Sequence, residues 1–287
     1  MFKLSVISDE VSQDLIKVVK FALSHKLDGI EIRSLWNLPP HKLVGKSGGI
    51  RKILSKYGLE VSAIASPFFK ANIDSDREYK EHLMILKNCI DLAKSLDTNI
   101  IRGFTFWRKN SYDEYEETIM EKFGEPLDII EEEGIILAIE NEPSTFATNA
   151  RLVTRFLNKI KSHYIKAVFD PGNDIGDPYG EIPYPEGYNI VKNHIIHIHV
   201  KDGYRDESGN VVWTPIGEGN VKYHDLIRAL LRDQYKGYLS LETHWRPRIS
   251  LSKELEKMPK GYKFSELGEE ASTICIINLK KIIEEVM

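Results

Sequence analysis

Only two cysteines occur in 287 residues, Cys89 and Cys275. They stand far apart in helix-like segments, so the chain has neither a disulfide framework nor a thiolate metal spacing. No apolar run approaches the roughly 18 residues that span a bilayer, which argues against membrane insertion. Basic runs are missing too. Lys and Arg number 39 against 43 Asp and Glu, a net charge of −4, and this mild acidity leaves no footprint for nucleic acid. The opening "MFKLSVISDE" enters a strand-like run at once, without the charged start and apolar stretch of a secretion signal. A cytoplasmic location is expected from that. Linkers, low-complexity tracts and strong repeats are also absent.

What is present is a rhythm. The chain is 42% hydrophobic and 29% charged, an ordinary globular composition. Short β-like runs alternate with longer amphipathic ones from end to end. The strand candidates are 3–8, 29–33, 60–66, 99–104, 135–140, 165–170, 195–200 and 238–242. Helical patterns lie near 12–25, 48–57, 76–96, 112–133, 149–161, 187–193, 222–234 and 265–285. Eight strands, each followed by a helix, predict an α/β fold of the (β/α)8 TIM-barrel type, with residues 1–287 as one domain.

The longer irregular pieces follow strands, where a barrel builds its active site. All four tryptophans (Trp36, Trp107, Trp213, Trp245) fall in them. Indole combines apolar surface with one donor, so they can pack loops together or rim a small polar ligand.

The ends of the last four strands read Glu140 in "LAIENEP", Asp170 in "AVFDPGN", His199 in "HIHVKD" and Glu242 in "LSLETHW". Side chains alternate along a strand, and each of these residues shares parity with the one two positions earlier. Three carboxylates and an imidazole converging at a barrel mouth would repel one another and lose hydration unless a cation compensated them. One divalent metal ion is therefore expected. Three oxygens and one nitrogen suit manganese first, with magnesium, cobalt or zinc as alternatives.

Within "IIHIHVKDG", His197 and His199 point the same way. His199, at the mouth, is the expected ligand. His197 lies one layer deeper and supports it, either by hydrogen bonding an inner carboxylate such as Glu140 or by filling the core. Arg33, Glu31 and Arg102, at the ends of the second and fourth strands, can bind substrate hydroxyls or form ion pairs within the mouth. Lys201 and His244 reach towards the same space. "PIGEGN", ahead of "VKYHDLI", reads as an anion-binding turn or as a tight loop with Asn220 as helix N-cap.

The run "IENEP … FDPGN … HIHVKDG … PIGEGNV … GYLSLETHW" resembles the sugar isomerase/epimerase superfamily with the xylose isomerase-like TIM barrel, over essentially the whole chain. That superfamily includes tagatose and psicose epimerases, hydroxypyruvate isomerase and inosose dehydratase. The resemblance implies that Glu140, Asp170, His199 and Glu242 are metal ligands, and that Glu140 and Glu242 are also the acid/base pair. It implies a small sugar or polyol substrate and raises a homo-oligomer as an expectation. This chain departs from the epimerases at two places. Asn173 stands where they carry a substrate-binding histidine, and Lys201, Asp202 and Arg205 stand where they carry a glutamate and an arginine. Asn173, Lys201 and Arg205 are accordingly candidate substrate contacts.

The expected chemistry is reversible proton transfer through an enediolate, giving isomerisation or epimerisation. A dehydratase of an inosose- or dehydroshikimate-like keto-polyol uses the same groups. A non-catalytic sugar-binding barrel that has kept its ligands is the reading from another class.

Overall fold

Parallel pairing carries every long-range strand contact of the barrel in the computed structural model, which describes residues 2–287. The strands in chain order are β1 (Lys3–Ile7), β2 (Gly29–Ile32), β3 (Glu60–Phe68), β4 (Ile100–Gly103), β5 (Ile136–Glu140), β6 (Ile165–Phe169), β7 (Ile195–Val200), β8 (Asp202–Arg205), β9 (Val211–Thr214) and β10 (Tyr238–Leu241). Seven of them and β10 close a barrel in the order β1-β10-β7-β6-β5-β4-β3-β2. Each barrel strand ends within two residues of the predicted run. Their identity as strands follows from short Ile/Val/Leu-rich runs buried on both faces, as parallel strands under helices require.

The flanking helices form where a cap and an apolar stripe coincide. The helix Leu15–Ser24 starts at Asp14, whose carboxylate accepts from Ile16 N, and buries Leu15, Val18, Val19 and Ala22. Ser75 and Asn149 cap the helices Asp76–Ser95 and Ala150–Ile160 in the same way. Gly134 ends Gly124–Glu133 in the left-handed region (φ 66°), which a Cβ would disfavour.

Two expectations change. The predicted helix over 112–133 is two helices, Tyr112–Lys122 and Gly124–Glu133, meeting at the fully buried Phe123. Pro126 explains the break, because it cannot donate to the preceding turn and its ring crowds that turn's carbonyl. The segment after β7, read as a loop, holds the β8–β9 antiparallel hairpin (Asp202↔Thr214 to Arg205↔Val211).

Register decides what faces the barrel axis. Ser5, Ser240 and His199 lie in one row across β1, β10 and β7. Ile198 and Val200 alternate with the two histidines and belong to the apolar core under the helices. The interior is therefore polar at the level where β5, β6, β7 and β10 end. Among the described residues no helix is long and apolar enough to cross a membrane.

Candidate functional site

The ends of four strands bring Glu140, Asp170, His199 and Glu242 together. One donor atom from each lies within 4.8 Å of the others, and all four residues are buried. Glu140 closes β5, and His199 is the penultimate residue of β7. Asp170 and Glu242 stand one residue beyond β6 and β10.

Local contacts fix each of them. Asp170 begins the turn Pro171–Ile175, and its Oδ1 accepts from Gly172 N (2.9 Å) and Asn173 N (3.2 Å), which leaves Oδ2 for other use. Asn141, the residue after β5, clamps the Asp170 backbone, accepting from its N–H and donating to its carbonyl, both at 2.8 Å. Asn173 Nδ2 donates to Glu140 Oε1 (3.1 Å) and to Asn141 O (2.8 Å). The residue expected to touch substrate thus also orients Glu140. Gly172 has no room for a side chain, since a Cβ there would meet the Lys201 backbone oxygen at 2.7 Å. That close approach seats Lys201 over the site.

His199 Nδ1 points at the carboxylates, 3.1 Å from Glu140 Oε1, 3.6 Å from Glu242 Oε2 and 4.0 Å from Asp170 Oδ2. Its Nε2 meets Glu31 Oε1 at 3.1 Å, and the other Glu31 oxygen meets His197 Nε2 at 2.8 Å. The inner carboxylate that partners His197 is therefore Glu31, not Glu140. His197 sits one layer below the mouth, where β2 projects Glu31 across the barrel. Glu31, expected to serve hydroxyls, is fully buried behind the two imidazoles. Against burial, Glu31 and Glu140 push His199 well above the usual imidazole range. With an ion in place of the Nδ1 proton, Nε2–H donation to Glu31 would leave the Nδ1 lone pair aimed at the cluster, the arrangement by which a carboxylate orients a metal-binding histidine.

Fixed cations surround the carboxylates. Lys201 Nζ lies 2.7 Å from Asp170 Oδ2 and 2.8 Å from Glu242 Oε2. Arg33 spends its guanidinium on Asp9 Oδ1 (2.8 Å), Glu10 Oε1 (2.7 Å) and Glu242 Oε1 (2.5 Å). Arg102 Nη1 stands 3.2 Å from Glu140 Oε2, and its other nitrogens reach the Ala65 and Ser66 carbonyls. Asp9 and Glu10 were not among the predicted site residues. They occupy the short helix Ser8–Val11 directly after β1, and "SDE" at a strand end is the signal that could have found them. His244, held in the left-handed region (φ 48°), places Nδ1 3.4 Å from Glu10 Oε1.

Burial would raise every one of these carboxyls, and their partners decide the outcome. Arg102 and His199 overcome burial at Glu140 and hold it down at about 2. Lys201 and His244 hold Glu242 well below the usual range, and the two imidazoles do so for Glu31. Asp170 goes the other way. Burial, only partly countered by Lys201 and reinforced by the Glu242 and Glu140 charges, pushes it up to about 7. The protein's own cations thus leave one carboxylate short of compensation. Glu140 Oε2 and Asp170 Oδ2 are also buried without a well-directed hydrogen bond. Three oxygens and one nitrogen, with Glu140 Oε2 and Asp170 Oδ2 held only by ion pairs to Arg102 and Lys201, fit a hard or borderline divalent cation, and Glu140, Asp170, His199 and Glu242 are the residues that could hold it.

Arg205 and the "PIGEGN" turn both make contacts that hold the loops together. Arg205 donates to the carbonyls of Ile175 (2.6 Å), Asp177 (2.7 Å) and Gly209 (3.3 Å), fastening the hairpin to the loop after β6 while lining the cavity wall. The "PIGEGN" amides are filled by the chain itself. Asp202 accepts from Gly203 N, Gly217 N, Gly219 N and Val221 N at 2.9–3.2 Å. Asn220 is not the N-cap; the helix Tyr223–Arg232 begins after Lys222 without a side-chain cap. Four amides converging on one carboxylate leave no place there for a foreign anion.

The carboxylates open into a cavity of about 590 Å3. Trp213 forms part of its wall, with its ring 5.2 Å from Lys201 Nζ and 5.6 Å from the His244 ring. Trp36, Trp107 and Trp245 are not in that wall.

A family model described as a xylose isomerase-like TIM barrel matches residues 19–265. An uncharacterized protein of Methanocaldococcus jannaschii is 24% identical over 206 residues, 67% of each chain. Inosose dehydratase of Bacillus velezensis is 22% identical over 155 residues, so the match spans about half of each protein (49% and 51%). Among solved structures, the IolI protein with a bound zinc atom superposes with a TM-score of 0.76 at 15% identity, covering 100% of this chain and 99% of that one. A D-tagatose 3-epimerase-like protein superposes with a TM-score of 0.68 at 21% identity, covering 99% of both chains.

Proposed function

The chain belongs to the xylose isomerase-like TIM barrel family, and from that premise we propose that it is a divalent-metal-dependent isomerase or epimerase of a small sugar or sugar-like polyol. The observation that carries the reading is the meeting of Glu140, Asp170, His199 and Glu242 within 4.8 Å at the open end of the barrel. The zinc in the IolI structure and the superposition on a D-tagatose 3-epimerase-like protein support it.

A bound divalent cation supplies a Lewis acid that draws charge from a substrate carbonyl and its neighbouring hydroxyl. The remaining steps belong to the side chains. Glu140 and Glu242 are both kept ionised, so either can accept the carbon-bound proton next to the carbonyl. Glu140 comes from β5 and Glu242 follows β10, strands separated in the barrel by β6 and β7, so a substrate between them meets one carboxylate on each side. Proton removal by one and return by the other inverts a centre; removal and return on neighbouring carbons moves the carbonyl. Arg33, Arg102 and Asn173 set where those carboxylates stand, and Lys201 adds positive charge close to the developing enediolate.

The test is incubation of manganese-loaded protein with ketoses, aldoses and inosose in deuterated water. A carbon-bound deuteron should appear in at least one compound. Glu140→Gln and Glu242→Gln should each slow its appearance by about 100- to 10,000-fold, the weight of a positioned acid or base. Unchanged exchange in both variants would refute the assignment. A dehydratase is the second reading, favoured by the inosose dehydratase match. It predicts loss of water with growing enone absorbance in place of deuterated starting sugar.

A further inference from the structure

The cavity has two electrostatic storeys. Eight cationic side chains line it against four carboxylates, in a chain whose net charge is −4. In the deep storey every cation is matched. Arg33, Arg102 and Lys201 hold the site carboxylates, and Lys70 Nζ lies 2.6 Å from Glu142 Oε2.

At the mouth the matching stops. Arg108 comes from the loop after β4, Arg205 from the hairpin, and Lys253 and Lys257 from the short helix Lys253–Lys257 after β10. Among the described residues none of these four lies within 4 Å of a carboxylate. Arg205 is committed to backbone carbonyls. Arg108 and Lys253 have no side-chain hydrogen bond, and Lys257 stands 4.3 Å over the Trp107 ring. The rim holds one carboxylate, Glu256, and its Oε1 is engaged by Trp213 Nε1 at 3.1 Å. The loop after β4 and the short helix after β10 thus deliver unpaired positive charge to the outer wall of the cavity whose floor is the proposed proton-transfer site.

We infer that the substrate carries an anionic group, a phosphate or a carboxylate, at the end remote from Glu140 and Glu242, and that Arg108, Lys253 and Lys257 bind it. The inference rests on the proposed proton-transfer site and names the class of sugar it acts on. Each element of it has a physical ground. A cleft lined by one sign of charge concentrates the opposite ion. An arginine fork and two exposed ammonium groups match a tetrahedral or planar oxyanion. A volume of about 590 Å3 falls within the range of small-molecule sites, with space for a charged group beyond the sugar. Trp213, Val211 and Pro259 give the same cavity an apolar wall that can accommodate the carbon skeleton.

The test is calorimetric titration of the full chain with D-fructose, D-fructose 6-phosphate, D-glucuronate and inorganic phosphate, repeated with Arg108→Gln/Lys257→Gln. These side chains are exposed, and melting temperature checks that the variant is folded. The expected result is binding of one anionic sugar at least about tenfold tighter than fructose, one charge-assisted contact's worth. The double variant should lose at least about tenfold in anion affinity while its fructose affinity stays put. The phosphate arms against the glucuronate arm say which oxyanion is preferred. Fructose binding as well as both anionic sugars, no anion binding at millimolar concentration, or an unchanged anion affinity in the variant would overturn the inference. Deuterium exchange into a neutral ketose without any anion preference would sink this subsite and leave the proton-transfer reading standing. Anion binding that maps to these residues, with no exchange into any compound, would do the reverse.

Discussion

Replacing Glu31 by glutamine changes one atom of a side chain that no solvent reaches, and its consequences can be followed bond by bond. Glu31 accepts from His197 Nε2 at 2.8 Å and from His199 Nε2 at 3.1 Å. Glutamine keeps one oxygen and turns the other acceptor into a donor. If the new NH2 faced His199, the imidazole would have to accept there and carry its proton on Nδ1. That proton would point at Glu140, Glu242 and Asp170 and remove the lone pair a metal needs. If it faced His197, only that ring would change tautomer. His197 Nδ1 has no partner to lose, so this orientation is the cheaper one. His199 then keeps a neutral acceptor in place of an anion. Removing such a supporting carboxylate costs about 10- to 100-fold in metal affinity, and the retained acceptor puts the variant near the lower figure, about 1.4 kcal/mol. Glu31→Ala, which removes both acceptors, belongs near the upper one. The assay is manganese titration followed by electron paramagnetic resonance at 25 °C, with stoichiometry fitted separately from affinity. A dissociation constant within twofold of wild type in both variants would refute the orienting role of Glu31.

Two predictions concern the scaffold. Glu181 is lifted from 4.5 to about 7 by burial, which outweighs the Ala150 and Arg151 amides that favour its charge, with Asp177 adding to the rise and Arg151 opposing it. Its neighbour Asp174 is raised further by burial and by the Glu181 charge. A raised acid binds its proton more tightly in the folded state, so this contribution is complete below about pH 4.5 and is lost as pH climbs to about 7. Urea midpoints measured at pH 5 and pH 8 should therefore converge in Glu181→Gln relative to wild type; an unchanged gap would count against the assignment. Gly219→Ala would place a Cβ 2.2 Å from Asp202 Oδ1 and 2.4–2.5 Å from the Gly203 backbone. A clash against backbone cannot relax cheaply, so a loss of about 3 kcal/mol is expected by calorimetry, and a melting temperature shifted by less than about 1 °C would contradict it.

How far the chain can be read without coordinates depends on whether a feature is local. The barrel strands are local, since each is a short apolar run bounded by turns, and the parity that turns His197 and His199 the same way is local as well. The convergence of Glu140, Asp170, His199 and Glu242 was legible because strand ends of a closed parallel barrel share one rim. Pairings across the barrel were not. Glu31 and His197 are 166 residues apart, and only the closed geometry brings them to 2.8 Å. Asp9 and Glu10 escaped because a four-residue helix has too little pattern to announce itself. The "PIGEGN" turn allowed two readings, anion-binding turn or tight loop, for a related reason. Its amides do converge on an anion, but the anion is Asp202, delivered by β8, the first strand of the hairpin before it.

One measurement bears most directly on the whole account. Crystals of manganese-loaded protein, collected at an energy where manganese scatters anomalously, should show one peak within about 2.5 Å of a donor atom from each of Glu140, Asp170, His199 and Glu242, and Asp170→Asn should weaken or abolish it. A full-length, metal-saturated sample with no peak there, or with the ion held elsewhere, would contradict the claim.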